Sequence, residues 1–358
     1  MKISFITTVF NEERTVGRFL ESLAAQTRKP DEVVVVDGGS TDGTVGEIKK
    51  REALFDGFKV LAKPCNIAEG RNLAVSEATG EIIAMSDAGC ILDERWLQEI
   101  VGPFEKDDSI EICAGNWRIE DTAGLPRILR WYFVRNHVDM RDVPNPLNPS
   151  CRSVAITRKA WMEMGGQPEF LYAGEDGLFN IKCRLFGKRF VFAEKAIATW
   201  LMCPSLRAFG RQVYNYGRAG GRLGRKDSLV SVAYSVRILL VYGLGVLGLG
   251  LGLFLGGVLG NAISGIMLLG LGLALYRQKG EAFALARRYG LGFFSSIWAV
   301  LVTFYGEWKG ACGGLAGLRD RSRDDYNMWV LGYIAGNRRR MSKKFDEKVE
   351  RFKKVSSG

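Results

Sequence analysis

Asp37 stands at the end of four β-branched residues, Val33-Val34-Val35-Val36, and is followed by Gly38-Gly39-Ser40-Thr41-Asp42-Gly43-Thr44. Such a run reads as a strand buried on both faces, as inside a parallel sheet. A carboxylate at its carboxyl end lies where open α/β sheets bind their ligands. Asp87 closes a second strand-like run, Glu81–Ser86, while Thr8 and Phe10 lie at the end of a third, Ile3–Val9. Those four residues would line one crevice. Taken alone, the Asp37 stretch also suits an ordinary strand-to-helix turn whose Asp and Gly residues only shape the loop.

Positioning these residues together takes alternating strands and helices. Ile3–Val9 opens the series, followed by a helix capped by Asn11, with Val16, Phe19, Leu20, Leu23 and Ala24 along one face. Strand Val33–Val36 precedes a helix over Thr41–Glu52, for which Ser40 or Thr41 can serve as cap. Phe58–Ala62 reads as a strand, Ala68–Ala78 as a helix, and Glu81–Ser86 as the next strand. Alternation of this kind builds an α/β, mostly parallel sheet with right-handed crossovers.

Composition narrows the classes. Lys and Arg outnumber Asp and Glu by 50 to 39 in 358 residues, a net charge of +11, which suits an anionic partner: nucleic acid, a phosphorylated substrate or a membrane surface. Seven cysteines form no CxxC, which argues against a zinc site or disulfide framework and for buried thiols in a reducing compartment. A single histidine argues against a multi-histidine metal centre. The first residues form a strand, not a leader with a charged start and apolar core.

Thr7-Thr8-Val9-Phe10-Asn11-Glu12, Asp37 to Thr44, Glu69-Gly70-Arg71-Asn72, Gly80 to Gly89 and Gly174-Glu175-Asp176 occur in a telling order and spacing. With them the chain resembles the family 2 glycosyltransferases over residues 1–225. The resemblance implies a GT-A (Rossmann-like) fold and inverting transfer of a sugar from a nucleotide-diphosphate donor. It implies Thr8, Phe10, Glu12 and Asp37 around the nucleoside, Phe10 near the base, and Arg71 beside the diphosphate, where a planar guanidinium binds two oxygens. Two departures stand out. Many members carry two acids where this chain has Asp37-Gly38. The family's Asp-x-Asp metal motif reads Asp87-Ala88-Gly89, so the carboxylate that normally touches the metal is missing. Mg2+ or Mn2+ takes oxygen ligands, and donor phosphates supply several. Asp87 therefore either still holds such an ion, directly or through water, with weak or absent metal dependence, or binds only the ribose.

By the same resemblance Glu175 and Asp176 are the catalytic pair, Asp176 being the base. In an inverting transfer a carboxylate removes the acceptor hydroxyl's proton as the bond forms. The pair at a helix start also fits an N-terminal cap. A phosphate acceptor, with a second pKa of about 6, needs no base, so a retained base favours a hydroxyl acceptor over polyprenyl phosphate.

On the acceptor side, Trp117 and Arg118 follow a strand over Glu111–Ala114, and Asn148-Pro149-Ser150-Cys151-Arg152-Ser153 precedes Val154–Thr157. Trp117 suits stacking on a sugar ring, and suits the core equally. Ile128 to Val138 interleaves aromatic and basic residues, as amphipathic membrane segments and nucleic-acid binders both do. No RNA-binding signature accompanies it, and no nucleic-acid partner is expected. Residues 204–228 read as a basic amphipathic interface helix, in which Arg211 and Gln212 would reach the donor diphosphate or the acceptor.

No charged residue occurs from Ile238 to Tyr276, room for two spans of about 20 residues each, turning at Gly260-Asn261. Gly248, Gly252, Gly256 and Gly260 form a small-residue stripe suited to close helix packing, including an oligomer contact. A third apolar stretch, Tyr289–Gly306, is shorter. Domain limits of 1–203, 204–228, 229–310 and 311–358 follow. The basic tail, with Arg338-Arg339-Arg340, favours the cytoplasmic side, so two crossings are expected and Tyr289–Gly306 should be re-entrant or interfacial.

The expectation is a multi-pass cell-membrane enzyme with a cytoplasmic catalytic domain, transferring sugar to a hydroxyl of a lipid-linked or glycolipid acceptor. Transfer to polyprenyl phosphate, or a non-catalytic membrane scaffold, are the alternatives. A transporter is disfavoured because the spans hold no intramembrane charge.

Overall fold

The computed structural model describes residues 1–120, 124–136, 149–222, 243–244 and 247–320. The strand-and-helix alternation expected in the first hundred residues is present, built around buried apolar strands. β1 (Ile3–Val9), β2 (Glu32–Asp37), β3 (Phe58–Ala62) and β4 (Ile82–Met85) pair in parallel in the order β3-β2-β1-β4. Between them run α1 (Val16–Ala24), α2 (Thr44–Lys49) and α3 (Ile67–Glu77). Val33 to Val36 are buried together, as a strand covered on both faces requires.

Past β4 the sheet becomes mixed. β5 (Cys90–Leu92), α4 (Trp96–Lys106), β6 (Ile112–Ile119), β7 (Val154–Thr157), α6 (Arg158–Glu163), α7 (Glu175–Leu185) and β8 (Phe190–Trp200) complete this part, with α5 (Leu125–Asn136) intervening in sequence. The eight-stranded order is β3-β2-β1-β4-β7-β6-β8-β5. β7 runs antiparallel to both β4 and β6, and β6 is parallel to β8. The carboxyl ends of β1, β2, β4, β6 and β8 and the amino end of β7 therefore share one edge. Val154 pairs with Met85, which places Arg152 and Ser153 at the level of Asp87.

Local details depart from the expected boundaries for identifiable reasons. Asn11 does not cap α1; Thr15 precedes that helix with no side-chain cap bond. Asn11 instead adopts φ +56, and its Oδ1 accepts from the Thr41 N–H at 2.8 Å. Its own N–H donates to Ser40 Oγ at 2.8 Å, so the side chain joins two loops of the ligand edge. α2 begins only at Thr44, because Asp42, rather than Ser40 or Thr41, accepts the Thr44 N–H at 3.1 Å. Asn66 and Glu69 form a reciprocal capping box at the start of α3, which accounts for Glu69.

Contacts divide the described residues into two compact units, 1–120 with 149–202, and 124–136 with the helices after 203. In the second, α8 (Leu206–Arg222) packs lengthwise on the Phe293–Arg319 helix. Glycines make the approach: a side chain at Gly217 would strike the Gly310 carbonyl, and one at Gly221 the Gly314 carbonyl. Tyr132 and Phe133 of α5 cluster edge-on with Phe209 of α8. The amphipathic segment expected over 204–228 is thus a helix with a buried face of Phe209, Val213, Ala219 and Gly221, and its last residues lie outside those described.

Residues 247–255 are helical and lead into the Gly257–Arg288 helix. The turn lies at Gly256 and Gly257, with φ +60 and +61, rather than at Gly260-Asn261; two consecutive left-handed residues fall naturally to glycine. Gly248, Gly252 and Gly260 make their close approaches within the chain, to Met267, Ser264 and each other. Among the described residues no helix is long and apolar enough to cross a membrane. The two transmembrane helices expected from Ile238–Tyr276 are therefore not supported, and residues 238–242 and 245–246 of the first lie outside the described residues. Tyr289–Gly306 belongs mostly to the 27-residue Phe293–Arg319 helix, whose Glu307 and Lys309 interrupt its apolar run.

Candidate active site

β2 delivers Asp37 to the ligand edge. Its carboxylate accepts the Gly39 N–H at 3.2 Å and the Ser40 N–H at 3.1 Å, a local turn that fixes its orientation. Gly39, at φ +95, needs the conformational freedom of glycine. At Gly38, where the resemblance implies a second acid in many members, a Cβ would come 3.0 Å from the Cys65 carbonyl oxygen. The crossing of that backbone under the loop explains the glycine. On β1, Thr8 packs its methyl against Gly70, where a Cβ would approach to 2.8 Å. Phe10 next to it is 56% exposed, an open ring surface at the strand end. Glu12 follows with its N–H bonded to Thr44 Oγ1 at 2.8 Å. Burial pushes the Glu12 carboxyl above its usual range, and repulsion from Asp87 and Asp42 adds to this.

Arg71 occupies the centre. Projecting from α3 and only 3% exposed, it donates through Nη1 to Glu175 Oε1 at 2.6 Å and to Gln167 Oε1 at 3.2 Å. Its Nη2 donates to Asp87 Oδ1 at 2.7 Å. Burial works against its charge, but the Cys151 sulfur and the carboxylates of Asp87, Glu175 and Asp176 outweigh that and raise its pKa. The guanidinium expected beside the diphosphate is thus a buried bracket between the end of β4 and the start of α7.

α7 begins after Gly174, which takes φ +74 and offers no side-chain cap. Glu175 and Asp176 fill the first turn instead, where the helix dipole favours negative charge. Their environments differ sharply. Glu175 is buried against Arg71, and burial holds its carboxyl above the usual range despite the arginine. Asp176 is partly exposed; Oδ1 accepts the Gly177 N–H at 2.7 Å, and among the described residues Oδ2 makes no hydrogen bond. Of the pair, Asp176 is the one partly exposed to solvent.

Asp87 keeps one oxygen, Oδ2, without a protein hydrogen bond among the described residues, its side chain being 31% exposed. A Cβ at Gly89 would meet nothing within 4 Å, so the place of the missing carboxylate is open space. Among the described residues no group of three or more His, Cys, Asp or Glu side chains could hold a metal ion. Asp87 Oδ1 is engaged by the Arg71 guanidinium at 2.7 Å, which leaves Oδ2 for a Mg2+ or Mn2+ whose other oxygen ligands the donor phosphates would have to supply.

Two more aromatic residues reach the same edge. Trp117 at the end of β6 and Trp200 at the end of β8 lie 6.2 Å apart, edge to face. The Arg152 guanidinium sits over both rings, 5.1 Å from Trp117 and 4.2 Å from Trp200. Trp117, read from the sequence as suited to a sugar ring or to the core, has the Arg152 guanidinium over its ring. Arg211 and Gln212 lie on α8, in the second compact unit, where Gln212 Nε2 donates to Tyr216 at 3.2 Å. All seven cysteines are free thiols, four of them buried.

Arg152, Gln167 and Trp200 had no assigned role in the sequence. Gln167 follows Gly165-Gly166 in a loop without regular pattern, and only the fold brings it to Arg71. Arg152 carried a faint sign, as an arginine just before a strand whose start must meet Asp87.

An α/β sheet whose ligand edge gathers carboxylates, an exposed aromatic ring and an acidic helix start is a GT-A-like arrangement. Residues 4–165 match the profile of glycosyl transferase family 2. Residues 4–165 therefore carry that domain. Glycosyltransferase AglE of Haloferax volcanii is 24% identical over 227 residues, 61% of this chain and 71% of AglE. An uncharacterized glycosyltransferase of a Nostoc species is 35% identical over 132 residues, 34% of this chain and 41% of that protein; the chain spans less than half the length of that relative. Among solved structures, mannosyltransferase PcManGT of Pyrobaculum calidifontis, in complex with GDP-Man and Mn2+, aligns with TM-score 0.53 and 15% identity over 90% of this chain and 88% of its own, a likeness of fold.

Proposed function

We propose that this chain is an inverting glycosyltransferase that moves a sugar from a nucleotide-diphosphate donor to a hydroxyl of a lipid-linked or glycolipid acceptor at a membrane face. The observation that carries the reading is the meeting of Asp87 and α7 at Arg71, with bonds of 2.7 and 2.6 Å, on the sheet edge that also presents Asp37. Stretches far apart in sequence thereby assemble a donor end and a base end. In the reaction the acceptor hydroxyl attacks the anomeric carbon in line. Its proton passes to Asp176, and the nucleoside diphosphate leaves with the bonding electrons. Phe10, Thr8, Glu12 and Asp37 hold the nucleoside. Glu175 works through Arg71 and does not touch the reacting atoms.

A membrane location is supported by the second unit. Phe254 is 87% and Val258 89% exposed, with Leu253, Leu255 and Leu259 beside them; contiguous apolar surface of this kind marks contact with lipid or protein. Helices of this unit would lie in the interface, their apolar residues toward acyl chains, with the catalytic domain in the cytoplasm. Incubating membranes that contain the protein with radiolabelled UDP- and GDP-sugars, followed by organic extraction, tests the proposal. One donor should give extractable label that Asp176→Asn abolishes; label left as free nucleotide sugar for every donor would refute it.

A further inference from the structure

In the second unit, α5 and the turn between the Gly257–Arg288 and Phe293–Arg319 helices bring cations beside exposed aromatic rings. Trp131 of α5 is buried with Ala286, Leu291 and Ala299, so both sides of that turn pack on α5. Arg127 stands in the first turn of α5. A Cβ at Gly290, where φ is +85, would sit 3.6 Å from its Nη2. Arg130, one helical turn on, holds its guanidinium carbon 5.6 Å from the centre of the Tyr289 ring. From the other side of the turn, Arg287 donates through Nη1 to the Leu291 carbonyl at 3.0 Å. The Arg127 Nε is buried and has no hydrogen-bond partner among the described residues. Neither Arg127 nor Arg287 pairs with a described carboxylate. Directly after the turn, Phe293, Phe294 and Trp298 are exposed.

We infer that this corner is a headgroup site for an anionic phospholipid of the bilayer. Arg127, with the charge of Arg287 beside it, takes the phosphate, and Phe293, Phe294 and Trp298 meet the acyl chains. The inference rests on the membrane location proposed above, not on the transfer reaction. A guanidinium buried as far as its Nε and short of a carboxylate bears a desolvation cost that phosphate oxygens offset, often through paired bonds. Arginines next to Phe and Trp suit headgroup depth, where the rings reach the acyl boundary and the cations the phosphates. Free phosphate would satisfy the arginines and leave the rings in water, so the complementarity is to a lipid.

The test floats full-length protein with vesicles of phosphatidylcholine alone and of phosphatidylcholine mixed with phosphatidylglycerol. Wild-type partitioning should be about tenfold or more stronger into the anionic vesicles. Arg127→Gln should lose about tenfold there, the weight of a charged hydrogen bond, and should be unchanged on phosphatidylcholine. Gly290→Asp brings a carboxylate within reach of Arg127 and should lose at least as much. Gly290→Asn, of the same size and equally tolerant of a left-handed turn, should stay within about threefold of wild type and so controls for strain at the turn. Thermal melting checks that each variant is folded. The difference between wild type and Gly290→Asp should persist in about 0.5 M salt, which screens diffuse attraction; its disappearance there would overturn the site. Equal partitioning of the wild type into both vesicles overturns this inference and leaves the membrane location standing. Tighter binding to polyprenyl phosphate vesicles of matched surface charge, lost in Arg127→Gln, would give the corner to the acceptor and overturn the assignment to bilayer lipid. No partitioning into either vesicle overturns the membrane location and this inference with it.

Discussion

Replacing Arg71 by glutamine should expose how much of the site depends on one buried cation. The change removes the donors of the 2.6 Å bond to Glu175 and the 2.7 Å bond to Asp87 while keeping a similar volume. Asp87 can turn toward water, its side chain being 31% exposed, whereas Glu175 at 6% cannot. Breaking a buried pair from one side costs about 3–5 kcal/mol, because the remaining charge has no partner. A domain stable by about 5–15 kcal/mol survives that loss. Burial already raises the Glu175 carboxyl pKa against the attraction of Arg71, and Arg71→Gln would raise it further. The native state would then keep a proton that the unfolded chain has lost, so stability falls as pH rises. The deficit should be small below about pH 4.3, the ordinary glutamate value, and complete above the raised native pKa. Urea denaturation across this range measures it, and Arg71→Gln with Glu175→Gln should recover at least about 2 kcal/mol at neutral pH, as replacing both partners of a buried pair does. A deficit independent of pH, and additive with Glu175→Gln, would refute the bracket.

Asp176→Asn should lower the transfer rate by about 10²- to 10⁴-fold, the worth of a general base, with nucleotide affinity by titration changed less than about twofold. Gly38→Ala should lower stability by about 1 kcal/mol or more, because its Cβ comes 3.0 Å from the Cys65 carbonyl, while Gly89→Ala in open space should stay within about 0.5 kcal/mol; thermal melts of the two variants compare them directly. Gly217→Val should separate α8 from the Phe293–Arg319 helix, since its side chain would strike the Gly310 carbonyl, and limited proteolysis after Arg211 or Arg218 should accelerate.

Much of the donor half was legible because its signals are local. A β-branched run ending in Asp37 can hardly be anything but a buried strand, and the acids at strand ends follow from topology once alternation is accepted. The role of Arg71 was not legible: a guanidinium placed by resemblance beside phosphate proved to be enclosed by Gln167 and Glu175, residues about a hundred positions away. Side-chain partners across such distances leave no periodic trace. Asn11 reads as a helix cap by type, yet the chain uses it at positive φ to tie two loops. Gly38 and Gly89 look alike in sequence as lost acids; one is enforced by the backbone of Cys65, the other by nothing within 4 Å. In the C-terminal half, uncharged length suggested membrane spans. Glycine spacing there also serves helix packing within the chain, and composition does not distinguish the two uses.

A crystal structure of the chain soaked with whichever of UDP or GDP binds tests the central claim most directly. The base should lie against Phe10 and the Asp37 turn, with the diphosphate over Asp87 and its free end toward Asp176. A nucleotide seated on another surface, with Asp37 and Asp87 both out of contact, would contradict it.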